Sequence, residues 1–151
     1  MNIGVFDSGL GGLTILKSII KKLPQYHYIY LGDNARVPYG NRSFETIYEF
    51  TCQAIDFLVK KNCSLIIIAC NTSTAAALRK IQREYLPAKY EGVKVLGVIK
   101  PTVEEIIDKK YKKIGVIGTK ATINSEAFKK EIKKNNPKAL VFQKACPLLV
   151  P

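Results

Sequence analysis

A chain of 151 residues with 47% hydrophobic composition can bury a real core and suits one domain, or one domain plus part of another. No apolar run approaches membrane-spanning length, and the amino end enters a strand directly instead of a signal peptide, so a cytoplasmic protein without a membrane partner is expected. The formal charge of +12 would attract phosphate. However, the lysines come as scattered pairs (Lys21-Lys22, Lys60-Lys61, Lys109-Lys110, Lys133-Lys134), arginine is confined to Arg36, Arg42, Arg79 and Arg83, and no RNP-like segment or helix-turn-helix signature is visible, which argues against a specific nucleic-acid partner.

In chain order, hydrophobic periodicity predicts a strand over Ile3 to Phe6, a helix over Leu10 to Leu23, a strand over Tyr28 to Leu31, and a helix over Ser43 to Lys61 with an apolar stripe at Phe44, Ile47, Thr51, Ile55 and Leu58. A strand over 65–69 and a helix from about Ser73 to Tyr85 follow, with Asn71 or Thr72 as its N-cap. Next come a strand over 93–99, a helix over 101–110 opening with Pro101, a strand over 114–117, a helix over 123–135 and a strand over 139–143. Repeated βα implies an α/β fold, a mainly parallel sheet with helices on both faces and right-handed crossovers. A boundary near Gly97 to Pro101 divides the chain into a first α/β domain, 1–98, and part of a second, 99–151.

In such sheets ligands gather beyond the carboxyl ends of the strands. That rule selects Asp7 to Gly12, Gly32 to Gly40, Cys70 to Thr72 and Gly118 to Thr122. Cys70 stands where a buried strand gives way to a helix, and free N–H groups with the positive end of the helix dipole favour a thiolate there. The four cysteines, Cys52, Cys63, Cys70 and Cys146, show neither a C-x-x-C pair nor metal-ligand spacing, so no disulfide framework and no metal site is expected. "SGLGGL" at 8–13 falls short of a dinucleotide fingerprint, which would need glycine where Thr14 stands. A glycine-rich turn before a helix can nevertheless present N–H groups to a small carboxylate. The single histidine, His27, begins the second strand, opposite the Cys70 loop, which disfavours thiol–histidine hydrolysis. Asp7, hydroxyl groups, backbone amides and Tyr39 remain, a set suited to proton transfer beside a carboxylate.

The segments "GVFDSGLGGLT" (4–14), "DNARVPYG" (33–40), "ACNTSTA" (69–75), "IGTKATINS" (117–125) and "ACPLLVP" (145–151) resemble the successive signature segments of glutamate racemase, in that family's order and spacing and over the whole chain. The long forms of the first two favour the glutamate enzyme over its aspartate racemase relatives. The resemblance implies a cofactor-independent isomerase that interconverts L- and D-glutamate, supplies D-glutamate for peptidoglycan, and has two α/β domains with the site between them. By position it makes Cys70 one of two catalytic thiols and Asp7 a group that orients it or relays its proton. Asp7, Ser8, Tyr39, Gly40, Asn71 and Thr72 match segments that hold the amino acid. Thr119 and Thr122 are candidates for the substrate carboxylate, Thr122 equally for an N-cap. A homodimer is implied for the full-length family member.

Inversion at carbon needs a base on one face and an acid on the other, because one group that takes and returns a proton restores the original hand. The family's second cysteine belongs to a Gly-Cys-Thr-His segment that these 151 residues do not contain, and Cys146 matches a cysteine that is not catalytic. The expectation is an amino-terminal portion of such an enzyme, without the helices that finish the first sheet and unable to racemise alone. The alternative is a non-catalytic module that binds a dicarboxylate or amino acid.

Overall fold

The computed structural model describes residues 2–149. Met1, Val150 and Pro151, which include the ends of the two expected domains and the last two residues of the "ACPLLVP" segment, lie outside the described residues. Among the described residues six strands, β1 (Asn2–Asp7), β2 (His27–Gly32), β3 (Cys63–Ile68), β4 (Lys94–Gly97), β5 (Lys113–Gly118) and β6 (Leu140–Ala145), form two parallel sheets. The first has the order β2-β1-β3-β4 and the second pairs β5 with β6. The α/β, mainly parallel architecture expected from the βα alternation is what the chain adopts.

Helix α1 (Gly12–Lys22) joins β1 to β2, whereas α2 (Phe44–Lys60) and α3 (Asn71–Lys80) carry the chain back across β1 to β3 and on to β4. Right-handed crossovers in opposite directions put α1 on one face and α2 with α3, which pack together, on the other. The strand order therefore reverses between β1 and β3. The main core lies beneath α2 and α3, where Phe6, Ile47, Ile55, Leu58, Ile66, Ile68 and Ile81 are fully buried. Packing is tight there: a Cβ on Gly4 would stand 3.0 Å from Leu58 Cδ1, which would have to shift. A second core, built from Ile99, Val103, Ile114, Val116, Ile132 and Ala139, sits under α5 (Ile99–Asp108) and α7 (Ala127–Asn135). Apolar side chains remain open on both sheets: Leu96 on the first, Ile117, Leu140 and Phe142 on the second. No helix among the described residues is long and apolar enough to cross a membrane.

Three helices depart from the sequence reading. The helix expected over Ser73 to Tyr85 starts at Asn71, widens into a π turn at Ile81–Tyr85 and continues as α4 (Leu86–Lys89). Pro87 accounts for the wide turn, because its ring has no N–H and would strike the carbonyl of Arg83 in a regular helix. Pro101 does not open its helix but is the third residue of α5, where a missing N–H costs no intrahelical bond. The helix expected over 123–135 is broken into α6 (Lys120–Asn124) and α7 by Glu126, which takes a left-handed φ of 55°.

The π turn swings Tyr85 and α4 toward α2. Asp56 Oδ1 accepts from the hydroxyls of Tyr85 (2.6 Å) and Tyr90 (2.8 Å), and its Oδ2 accepts from Lys89 Nζ (2.8 Å). Burial pushes the Asp56 carboxyl up, but the hydrogen bonds from Lys89, Tyr85 and Tyr90 outweigh it and hold the group below its ordinary range. A lowered folded value stabilises the protein above the unfolded value of about 4 and loses that contribution as pH falls through the folded value. Asp56→Asn is therefore expected to weaken the fold at neutral pH, by a margin that shrinks below about pH 4. Denaturant melts of both proteins between neutral and acid pH measure it; a margin independent of pH would remove the carboxylate from the account.

Candidate active site

Neighbouring crossovers diverge between β1 and β3, the switch point at which such sheets hold ligands, and at its carboxyl edge the first strand delivers Asp7 and Ser8 while the third delivers Cys70. The ladder continues past both strands: Ala69 N donates to Phe6 O at 2.8 Å and Asp33 N to Asp7 O at 3.0 Å. Three loops are thereby fixed relative to one another.

Cys70 is buried and is itself the N-cap of α3, its sulfur accepting from Ser73 N at 3.4 Å. This corrects the expectation that Asn71 or Thr72 caps the helix: those residues are its first two, and the thiol does what a serine oxygen usually does. Ser8 Oγ lies 3.2 Å from Cys70 Sγ. Either atom of that pair can donate, and when Ser8 does, the sulfur accepts from both the Ser8 hydroxyl and Ser73 N.

The buried Asp7 carboxylate accepts from Gly9 N and Gly12 N, both at 3.1 Å. The glycine-rich turn, expected to offer N–H groups to a bound carboxylate, turns these two onto the chain's own carboxylate instead. Gly12 has to be glycine, for a Cβ would sit 2.7 Å from Asp7 Cβ and 3.0 Å from that of Ala69. Tyr30 donates to Gly9 O at 2.8 Å and braces the turn from the neighbouring strand. Burial, then the nearby Asp7 and Cys70, push the Tyr30 hydroxyl up to about 12, so it stays a donor.

Tyr39 is fully buried and its hydroxyl donates to Asp33 Oδ2, which also accepts from Arg36 Nε at 2.6 Å. Burial and then the Asp33 hydrogen bond raise the Tyr39 hydroxyl far above its ordinary value. Of this residue the backbone, not the committed hydroxyl, is left to meet a ligand. Gly40 joins the two sheets' units: its carbonyl accepts from Ala121 N at 2.9 Å, and a Cβ would come within 2.5 Å of Thr119 Cβ.

Thr119 caps α6 by accepting from Thr122 N at 3.2 Å, which overturns the N-cap reading of Thr122, a buried residue inside the helix. The hydroxyls of Thr72, Thr119 and Thr122 form a triangle with sides of 2.9, 3.0 and 3.4 Å across the junction between the units. Asn71 is exposed at the start of α3. The structure thus gathers Asp7, Ser8 and Cys70 in one group, Gly40, Thr72, Thr119 and Thr122 in another, and turns the Tyr39 side chain aside.

Two contributors escaped the sequence reading. Tyr30 reads as an ordinary strand tyrosine, and only pairing of β1 with β2 brings it to Gly9. Ser73, fully buried with a hydroxyl lacking a partner among the described residues, reads as one more hydroxyl in a helix N-terminus. Cys146 N donates to Gly118 O, and its sulfur turns back 3.8 Å from Lys144 O.

This arrangement places the chain among parallel α/β proteins that carry a thiol at the switch point of the sheet. Its residues 3–148 match the Asp/Glu/Hydantoin racemase family, to which the chain belongs. It is 48% identical over 152 residues to the glutamate racemase of Aquifex aeolicus (strain VF5), an alignment covering 100% of this chain and 57% of that protein. The solved glutamate racemase from Aquifex pyrophilus is similar with a TM-score of 0.88 and 46% identity, over 98% of this chain and 56% of that one. The glutamate racemase from Francisella tularensis subsp. tularensis SCHU S4, solved in complex with D-glutamate, gives 0.86 and 42%, over 97% and 53%. The chain spans about half the length of the relatives it matches.

Proposed function

We propose that the chain carries one acid–base half of a cofactor-independent glutamate racemase, acting in the cytoplasm to supply D-glutamate for peptidoglycan and hence for the cell wall and cell shape. The observation that supports it most is the grouping of Cys70 with Asp7 and Ser8 at the switch point, beside a triangle of threonine hydroxyls. In this reading the Cys70 thiolate takes the α-proton and becomes a thiol, and the electron pair left on carbon spreads into the α-carboxylate. The hydroxyls of Thr72, Thr119 and Thr122 trade their mutual hydrogen bonds for that carboxylate and stabilise the charge it gains. The backbone of Tyr39 and Gly40, with Asn71 at the rim, holds the rest of the amino acid, and Asp7 keeps the Ser8 turn aimed at the sulfur.

A proton returned from the same sulfur restores the starting hand. Among the described residues one thiol, Cys70, stands at the site, and in this reading inversion needs a second acid on the opposite face of the amino acid.

Incubation with L-glutamate, followed by chiral chromatography, is expected to yield no D-glutamate, while glutamate raises the melting temperature by linkage. D-glutamate formation would overturn the one-thiol reading, and a melting temperature indifferent to glutamate would overturn the substrate. The binding-module alternative gains if stabilisation survives Cys70→Ser and the wild-type chain exchanges no α-proton.

A further inference from the structure

The charge of +12 has no role in the site, and the fold does not leave it scattered. Helices α5 and α7 run antiparallel to the strands they feed, so their carboxyl ends meet the amino ends of β5 and β6, away from the site. Lys112 O accepts from Leu140 N at 2.8 Å, which joins the two lysine-bearing turns, and Lys133 Nζ donates to Pro137 O at 2.9 Å within the second of them. Lys109, Lys110, Lys112, Lys113, Lys133, Lys134 and Lys138 therefore share one end of the second unit, against the carboxylates of Glu105 and Asp108. Among the described residues only Lys109 of these has a carboxylate partner, the exposed Glu105 at 3.6 Å.

The backbone adds an independent observation. Helix α5 ends with Lys110 N donating to Ile107 O (2.9 Å) and Tyr111 N to Ile106 O (3.4 Å), a Schellman turn. The residue at its left-handed position, where glycine is the unstrained choice, is Lys110 with φ 56°. A cation is held where conformation alone would select glycine. The same turn projects Tyr111, 54% exposed, between the lysine pairs 109–110 and 112–113.

We propose that this end of the second unit is a binding surface for single-stranded nucleic acid, with the lysines on the phosphodiester backbone and Tyr111 stacked on a base. Single strands suit it better than an anionic membrane, because the group set between the lysine pairs is a flat, half-exposed ring, and the exposed aliphatic side chain at this end, Leu140, lies with Phe142 on the open face of the sheet. Point-charge lysines without an arginine fork give backbone affinity without base readout, in keeping with the lack of a sequence-reading motif.

Anisotropy of a labelled oligothymidylate through a salt titration tests it, using the whole chain. Wild type is expected to bind at low salt. Gln at 109, 110, 112 and 113 together should cut the slope of log K against log salt by about 3. The same exchange at Lys21, Lys22, Lys60 and Lys61, which removes equal charge elsewhere, should leave the slope unchanged. Tyr111→Ala should weaken binding about tenfold and Tyr111→Phe should not. Lys110→Gly is expected to raise the melting temperature while weakening binding, a pairing that loss of structure cannot imitate. Equal losses from both quadruple variants, indifference to Tyr111→Ala, or tighter binding to phosphatidylserine vesicles than to the oligonucleotide would each overturn the proposal.

Discussion

Cys70→Ser is expected to remove deuterium uptake at the α-carbon of glutamate. In deuterated water the wild-type chain should exchange that proton through the Cys70 thiol and return deuterium with the same hand. Mass spectrometry and chiral chromatography together read label and configuration. The variant should fall behind by about 10² to 10⁴, the usual contribution of a positioned acid or base. Its fold should survive, because a serine oxygen caps a helix at least as well as sulfur and can keep the bond from Ser73 N. Equal exchange by both proteins would show that Cys70 is not the base. Absence of exchange in the wild type would mean that one face of the site is not competent alone.

Gly40→Ala should carry the larger structural penalty. Its methyl carbon would fall 2.5 Å from Thr119 Cβ and 2.6 Å from Thr119 Cγ2. The Thr119 backbone is anchored by its cap on α6, and Ala121 N is bonded to the carbonyl of Gly40 itself, so neither side can withdraw freely. Relief must come from separating the two units, which also parts the hydroxyls of Thr72 and Thr119, now at 2.9 Å. Overpacking of this kind costs about 1–3 kcal/mol, visible in a denaturant melt. Glutamate-dependent stabilisation should drop with it, since the proposed carboxylate site spans the same junction. A variant that melts and binds like wild type would show that the junction is pliable.

The remaining charge clusters differ in kind from the site. Asp56 with Tyr85, Lys89 and Tyr90 ties α2 to α4, and its effect is on stability and acid sensitivity. Asp33 with Arg36 and Tyr39 holds the loop that presents Gly40. Arg36 also lies 4.0 Å over the ring of Phe50, so that loop is pinned to α2 by a stacked cation as well as by its carboxylate.

Local sequence determined the strands, the βα order and the Asp7, Cys70 and Thr119 loops, because period-two apolar runs and turn residues act over a few neighbouring positions. The run through Ile66, Ile67 and Ile68 has one outcome in a βα context, a buried parallel strand, and whatever follows it stands at the sheet's carboxyl edge. Helix ends were less legible. Whether Cys70, Asn71 or Thr72 caps α3 depends on which side chain reaches Ser73 N, and the break at Glu126 and the π turn before Pro87 depend on what each segment must pack against. Tertiary structure alone decided that two amides of the glycine turn serve Asp7, that the Tyr39 hydroxyl is spent on Asp33, and that scattered lysine pairs meet at one end of the second unit. Those outcomes rest on contacts between residues far apart in the chain, whose partners are chosen by strand order and register, quantities that no local pattern encodes.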